Sequence, residues 1–236
     1  MSKLLEICAA SLPSAAAAQA GGAQRIELCQ NLEQGGITPS YGLIRQVLAE
    51  VSLPVFVLIR PRPGGFVYSA AELAIMQADI ALCHDLGCAG VVLGALKTDG
   101  HVALAECQSL IEQAGPLGVT FHRAFDACAN QRQALEDIIS LGCQRVLTSG
   151  GQTSAEAGQA QLAALVAQAA GRIQIMPGAG ITAGNVQALA ARTGAQEFHA
   201  SAKRELPPDS VAGLFAAPEW QTDAALVAEL VASLAS

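Results

Sequence analysis

Short apolar runs alternate with amphipathic segments along the whole chain. The runs are rich in Val, Ile and Leu, and most begin after a Gly, Pro or polar residue, which is typical of strands that are buried on both faces. Eight strands are predicted at residues 4–9, 25–29, 54–61, 90–96, 118–125, 145–151, 172–180 and 197–202.

The segments between the runs carry helix signals. Ser11, Thr38 and Ser69 are predicted caps, Pro39 follows the second of them, and Ser69 forms a capping-box pattern with Glu72. Helices are predicted over residues 11–22, 38–51, 69–87, 102–114, 129–141, 154–170, 184–192 and 222–235.

Eight strand–helix units in 236 residues predict an α/β fold of the TIM (β/α)8 barrel type. The whole chain, 1–236, is expected to form a single domain, with an irregular segment at about 203–220. A doubly wound sheet is the main alternative, but it usually has a glycine-rich turn after the first strand, and "EICAASLPS" has none.

Composition narrows the functional classes. Asp and Glu number 20 against 13 Lys and Arg, which disfavours binding to nucleic acids or anionic membranes. No run of eighteen apolar residues and no signal-peptide core occurs, so a cytoplasmic location is predicted. The seven cysteines are odd in number and form no C-x-x-C, which favours free thiols over disulfides or a structural zinc site.

Side-chain alternation places an unusual set of polar residues on one face of the strands. The predicted inward pairs are Glu6 with Cys8, Glu27 with Cys29, Arg60 with Arg62, Thr120 with His122, and Glu197 with His199 and Ser201. Barrel interiors normally hold branched apolar residues, and charges are costly to bury without partners. Two interpretations stay open: an ion network of Glu6 and Glu27 against Arg60 that fills the barrel, or a ligand site at the strand ends.

A ligand site would suit a small anionic or phosphorylated substrate. Glu6 and Glu27 are candidate acids or bases, His122 a candidate proton shuttle, and Arg60, Arg62 and Arg123 candidate anion clamps. The turns after strands seven and eight add Gly178, Gly180, Thr182 and Ser201, although tight strand-to-helix turns explain them equally. "TSGG" at 148–151 is a similar turn. No motif for a particular reaction is present.

Residues 3–202 resemble the CutC family, long described as copper homeostasis proteins. The matching segments are "LEIC", "GGAQRIELCQNLEQGGITPSYG", "PVFVLIRPRPGGFVYS", "VTFHRAFD", "RVLTSGG", "IMPGAGIT" and "EFHASA". The resemblance implies a TIM barrel and copper(I) binding by Cys8 and Cys29, thiols being ligands that Cu(I) prefers. Two buried thiols without a ligand remain the alternative.

The segment at 203–220 is irregular and contains Phe215 and Trp220. It is predicted to be a subunit contact, a flap over the barrel mouth or an ordinary surface loop. A homodimer is expected from the family resemblance and the apolar tail. Two functional hypotheses therefore stand: a copper(I)-binding protein, and a TIM-barrel enzyme that acts on a small anionic ligand.

Overall fold

The computed structural model describes residues 3–207 and 219–235. Each predicted strand is present, and most end before the predicted position because the polar carboxyl-end residues belong to loops. The strands are β1 (Leu4–Ala9), β2 (Arg25–Leu28), β3 (Val55–Leu58), β4 (Gly90–Leu93), β5 (Gly118–Phe121), β6 (Arg145–Thr148), β7 (Gln174–Pro177) and β8 (Glu197–Ala200).

These eight strands form one parallel sheet in the order β7-β6-β5-β4-β3-β2-β1-β8. Sequential strands are neighbours, and β8 returns to pair with β1, so the sheet curls into a nearly closed TIM barrel. Strand β7 lies beside β8 at the seam. The prediction of a (β/α)8 barrel is confirmed, and the doubly wound alternative is excluded by this strand order.

Eight helices accompany the described strands. They are α1 (Leu12–Ala20), α2 (Tyr41–Glu50), α3 (Ala70–Asp85), α4 (Leu104–Ala114), α5 (Gln131–Ser140), α6 (Gln159–Ala169), α7 (Val186–Thr193) and α8 (Ala224–Ala235). Ser11 caps α1, and Ser69 and Glu72 form the predicted capping box of α3. Short 3-10 helices follow β2 and β5, at Leu32–Gln34 and Arg123–Ala127.

The predicted start of α2 is wrong by three residues. The side chain that caps this helix belongs to Ser40, whose oxygen accepts a hydrogen bond from the backbone of Leu43. Thr38 instead accepts a hydrogen bond from the backbone N–H of Arg60, at 2.9 Å between Oγ1 and N. A hydroxyl that serves the next strand's loop is not free to cap the helix.

Two apolar regions stabilise the barrel. The larger lies between strands and helices, where outward-facing residues such as Leu5, Ile7 and Val57 pack against the helices. The smaller lies inside the barrel and consists of Cys8, Cys29, Phe56, Leu58 and Val92. The interior is therefore only partly apolar, and polar side chains occupy the remaining space.

After β8 the chain forms β9 (Lys203–Glu205), which pairs antiparallel with β10 (Trp220–Thr222). The Nζ atom of Lys203 lies 4.6 Å from the ring centroid of Trp220. Phe215 lies outside the described residues. Among the helices of the described ranges, none combines the length and the apolar character needed to cross a membrane.

Candidate functional site

A cavity of about 950 Å³ lies at the carboxyl ends of the barrel strands. Its walls include an imidazole, a carboxyl, a thiol and several cations. Among the described residues that line it are Cys8, Glu27, Arg60, His122, Arg123 and His199. The carboxyl ends of barrel strands are where the active sites of this fold form, so the position matches the predicted site.

Two layers of polar side chains cross the barrel, and the strand register sets their composition. The lower layer consists of Glu6, Arg25, Arg145 and Glu197. Glu6 pairs in register with Arg25 on β2 and with His199 on β8. Two residues further along β1, Cys8 pairs in register with Glu27. We define the upper layer as Cys8, Glu27, Arg60 and His122, all of which line the cavity.

The lower layer is a closed network. The guanidinium of Arg25 bridges the carboxylates of Glu6 and Glu197. Nε of Arg145 lies 3.2 Å from Glu197, and its guanidinium also bonds Thr120. Both cations also contact the Phe56 ring, whose centroid lies 5.4 Å from Cζ of Arg25 and 4.8 Å from Cζ of Arg145.

His199 connects this network to the cavity. Its Nδ1 lies 2.7 Å from Oε1 of Glu6, which is fully buried. Burial alone would raise the pKa of Glu6, but the hydrogen bond from His199 and the charge of Arg25 outweigh it and lower that pKa to about 2. Burial lowers the pKa of His199, but the carboxylates of Glu27 and Glu6 reverse this, and the net pKa is raised.

The two candidate copper ligands are close together. Sγ of Cys8 lies 3.5 Å from Sγ of Cys29 and 3.5 Å from Oε1 of Glu27. The hydrogen bond with Cys29, burial and the nearby Glu27 carboxyl raise the pKa of Cys8 well above its usual range. One ligand atom each from Cys8, Glu27 and His199 lie within 4.8 Å of one another, a spacing that a single metal ion can bridge.

Glu27 has an unmet hydrogen bond. Its Oε1 accepts from the Cys8 thiol, whereas Oε2 is buried and has no partner among the described residues. Burial, with the charge of Glu6 as a smaller cause, raises the pKa of Glu27. The pKa of Glu6 is thus lowered and that of its neighbour Glu27 is raised. Opposite pKa shifts of two nearby carboxyls often distinguish a structural group from a reactive one.

Arg60 does not pair with either glutamate. Its guanidinium donates to the backbone carbonyls of Gln34, Gly36 and Gly64, at 3.2, 2.8 and 2.6 Å. Within residues 3–207 and 219–235, no carboxylate lies within ion-pair distance of it, and its Nε has no partner. The predicted network of Glu6 and Glu27 against Arg60 is therefore wrong, because Arg25 takes the place opposite Glu6.

His122 faces the cavity with one nitrogen free. Its Nδ1 accepts a hydrogen bond from the backbone N–H of Ala124 at 3.2 Å, and Nε2 has no partner among the described residues. Burial, and secondarily the charge of Arg60, lowers the pKa of His122 to about 3. At neutral pH the ring is uncharged. Since Nδ1 is an acceptor, Nε2 carries the proton.

Arg62 does not join Arg60 at the cavity. It pairs with Glu72 at the start of α3, and its Cζ lies 5.3 Å from the ring centroid of Tyr68. The expectation that Arg60 and Arg62 share a face fails because β3 ends at Leu58, so the alternation of a strand no longer applies to them.

The turns after β7 and β8 contribute unequally. Gly180, Thr182 and Ser201 line the cavity. The backbone N–H of Thr182 already donates to Oδ1 of Asn185 at 2.9 Å. Gly178 does not line the cavity; a Cβ there would lie 2.6 Å from Cδ1 of Leu147, so its small size serves packing.

The "TSGG" turn is occupied by a side chain of this protein. The carboxylate of Asp126 accepts hydrogen bonds from the backbone of Ser149 and Gly151 and from the hydroxyl of Thr148. The same carboxylate pairs with Nε of Arg123 at 2.8 Å, so it also orients Arg123, which lines the cavity. This turn binds an internal carboxylate in place of an external anion.

The sequence interpretation missed several residues at the site. Arg25 has the same parity as Glu27, so alternation alone could have placed it in the barrel. Arg145 begins its strand, and its partner Glu197 lies 52 residues away, so no local pattern joins them. Phe66 and Lys203 line the cavity from loop positions that carry no periodic signal.

Comparison with known proteins assigns the chain to a family. The sequence profile of the CutC family matches residues 3–204. The chain is 57% identical over 199 residues to family protein CutC of Xylella fastidiosa strain Temecula1, an alignment that covers 84% of this chain and 74% of that protein. It is 52% identical over 206 residues to family protein CutC of Chromobacterium violaceum, covering 87% and 83%.

Solved structures agree with this assignment. The crystal structure of CutC from Streptococcus agalactiae, whose name refers to copper homeostasis, matches with a TM-score of 0.80 and 36% identity, over 84% of this chain and 98% of that one. N-(5'-phosphoribosyl)anthranilate isomerase from Pyrococcus furiosus matches with a TM-score of 0.59 and 14% identity, over 98% of each chain. The second likeness shows the barrel fold alone.

Proposed function

The chain belongs to the CutC family, and from this premise we propose that it binds a copper(I) ion through the thiolates of Cys8 and Cys29. The observation that carries the proposal is the 3.5 Å approach of the two sulfur atoms, of which that of Cys8 belongs to a residue lining the cavity. The name of the Streptococcus agalactiae relative, which refers to copper homeostasis, supports it.

The donor set favours a soft ion. Thiolates bind Cu(I) in preference to Mg²⁺ or Ca²⁺, which prefer oxygen ligands. With metal–sulfur bonds of about 2.3 Å, a trigonal site needs its sulfurs about 4 Å apart, so the pair requires only a small separation to accept the ion. His199, which has a ligand atom within 4.8 Å of one on Cys8, is the third donor in this proposal once one of its ring nitrogens is free of a proton. Glu27 stays outside the coordination sphere, where it can take up the proton that the Cys8 thiol releases.

A Cu(I) competition titration under reducing conditions tests this proposal. We expect Cys8→Ser/Cys29→Ser to weaken Cu(I) binding by more than about 100-fold, since even outer-sphere changes at metal sites cost about 10–100-fold. The matched control is Cys83→Ser/Cys88→Ser, which removes another pair of mutually interacting buried thiols, outside the barrel. Equal affinities in the wild type and the Cys8/Cys29 variant would remove the proposal.

A second candidate function is an enzyme that acts on a small anionic ligand. The cavity volume of about 950 Å³ favours it, because a metal ion needs far less space and ordinary ligand pockets have this size. Arg123, Lys203 and His199 on the walls suit an anion. The unpartnered oxygen of Glu27 suits acid–base chemistry.

Two measurements on the wild-type protein test the second candidate. Mass spectrometry of compounds released from freshly purified protein should recover an organic anion, and a thermal-shift screen should find anions that stabilise the fold. If neither experiment finds a bound anion, the second candidate is contradicted, and the copper proposal is unaffected.

A further inference from the structure

A buried cation on the cavity wall lacks a counter-ion. Arg60 is 6% exposed and lines the cavity; its guanidinium donates to the backbone carbonyls of two loops and lies close to the Tyr68 hydroxyl, and it pairs with no carboxylate among the described residues. Carbonyl oxygens satisfy guanidinium hydrogens but do not neutralise the charge. An unpaired buried charge is costly, so an arrangement of this kind is expected where a ligand supplies the opposite charge.

His122 provides a second donor on the same wall. Its ring centroid lies 5.0 Å from that of Phe66, and Cζ of Arg60 lies 5.1 Å from the same ring. Each residue has a nitrogen without a partner, Nε of Arg60 and Nε2 of His122, and both atoms are covered by the protein, so a ligand oxygen reaches them only when the cavity wall opens slightly. An unmet buried hydrogen bond destabilises the fold, and a ligand oxygen that accepts from the buried nitrogen would remove this cost.

The neighbouring glycines make room for this arrangement. A Cβ on Gly94 would lie 2.7 Å from Nδ1 of His122, and a Cβ on Gly35 would lie 3.2 Å from an Nη atom of Arg60. The backbone N–H of Ala124 donates a hydrogen bond to Nδ1 of His122, so the ring proton lies on Nε2. The two donors are therefore positioned by the fold before any ligand arrives, which reduces the entropy cost of binding.

We propose that Arg60 and His122 form a carboxylate-binding subsite in the cavity, with Nε–H of Arg60 and Nε2–H of His122 as the donors. This inference deepens the second candidate function and rests on it for the existence of an anionic ligand. The single charge of Arg60, next to a neutral imidazole, matches a carboxylate of charge −1. Arg60 alone would only partly neutralise a phosphate group, which carries about −1.5 to −2.

The remainder of the cavity restricts the ligand further. Phe66, Leu32 and Leu58 contribute apolar surface to the cavity, and Phe66 lies against Arg60, whereas Cys8, Glu27 and His199 contribute polar groups from β1, β2 and β8. A small organic acid with a short apolar portion and a second polar group suits both walls. The class is therefore a substituted carboxylic acid, with the carboxylate at Arg60 and the polar group near Glu27.

Acetate is the probe for the subsite, because it is the carboxylate group with a single methyl. Isothermal titration with acetate should show binding to the wild-type protein, and acetamide, its neutral isostere, should bind much more weakly. Inorganic phosphate should also bind more weakly than acetate. These comparisons separate recognition of a singly charged carboxylate from general attraction of anions.

A matched pair of variants tests the named donors. His122→Gln places an amide N–H near the position of Nε2, whereas His122→Asn retains only an acceptor near Nδ1. We expect His122→Asn to weaken acetate binding by about tenfold to hundredfold, the value of one charge-assisted hydrogen bond, and His122→Gln to retain most of the affinity. Arg60→Gln should abolish binding, and Arg62→Gln, at an arginine outside the cavity, should change nothing.

The outcomes are distinguishable. If no anion of any kind binds the wild type, both the second candidate function and the subsite are overturned. If anions bind but His122→Asn and His122→Gln behave alike, or phosphate binds more tightly than acetate, the subsite alone is overturned. Because Arg60 also holds loop carbonyls, Arg60→Gln can fail to fold; the His122 pair then decides the result.

Discussion

The two polar layers inside the barrel lie two residues apart along β1 and β2. They differ in how many of their buried polar atoms have a hydrogen-bond or ion-pair partner. In the lower layer Arg25, Arg145, Glu6 and Glu197 are joined into one network. In the upper layer Glu27, Arg60 and His122 each retain a buried atom without a described partner. The closed layer accounts for stability, and the open layer is suited to binding a ligand. Charged residues in a barrel interior do not by themselves indicate a ligand-binding site. Buried polar atoms without hydrogen-bond partners are the better indication.

The largest expected effect comes from breaking the lower layer. Arg25→Met leaves the carboxylates of Glu6 and Glu197 buried without their shared cation, and we expect the free energy of unfolding to fall by about 3–5 kcal/mol. Urea unfolding measures it. Arg172→Met, which removes an exposed ion pair with Glu136, is the control and should have little effect. Similar stabilities for the two variants would show that the lower layer is not a structural network.

A smaller effect concerns pH and the upper layer. The pKa of His122 is about 3 in the folded protein, whereas a histidine in the unfolded chain has a pKa of about 6.5. Between these values the unfolded state holds more protons, so stability is complete above pH 6.5 and is lost as the pH falls. The contribution is about 1.4 kcal/mol per pH unit.

Urea unfolding between about pH 6.5 and 5 tests this dependence, because the lowered pKa of Glu6 leaves that carboxyl ionised there in the folded state. His122→Asn should reduce the slope of the unfolding free energy against pH by about 1.4 kcal/mol per pH unit. His84→Asn, at an exposed position on α3, should retain the wild-type slope. An unchanged slope in His122→Asn would show that His122 is protonated within the folded protein.

The smallest expected effect has the opposite sign. The pKa of Glu27 is raised on folding, so above about pH 4.5 its ionisation favours the unfolded chain, and stability is lost as the pH rises toward the folded pKa. Glu27→Gln cannot ionise and should increase the free energy of unfolding at pH 7 by about 1 kcal/mol. Thermal or urea unfolding measures the change.

Glu6→Gln is the matched control for that substitution, since it makes the same chemical change in the lower layer. Its pKa is lowered on folding, so its ionised form stabilises the native state above pH 4.5, and Glu6→Gln should reduce stability. The same glutamate-to-glutamine change is thus expected to alter stability with opposite sign in the two layers. A loss of stability in both variants would mean that the Glu27 carboxylate is satisfied in the fold.

Much of the architecture was predictable because local physics specifies it. Doubly buried strands have to be apolar throughout, and Ser11 and Ser69 satisfy the free N–H groups of their helices in a way the sequence displays. Alternation likewise placed Glu6, Cys8 and Glu27 inside the barrel, because side chains two apart on a strand share a face. The match to the CutC family profile over residues 3–204 agrees with the resemblance identified from the motifs.

The pairing of these groups was not predictable in the same way. Opposite Glu6 the structure places Arg25 and His199, because the stagger between neighbouring parallel strands, which no single strand encodes, decides which residues meet. Asp126 fills the turn after β6, and Arg62 leaves the cavity for α3, through contacts made only once the barrel closes.

Burial, capping and a period of two in the sequence specify the strands, the helices, the barrel and several of the side chains turned toward its axis, Glu6, Cys8 and Glu27 among them. Only the tertiary structure decided which charges cancel and which polar atoms remain without partners. That outcome depends on register and on loop backbone, and it separates the paired glutamate of the lower layer from the arginine and histidine to which we assign a ligand.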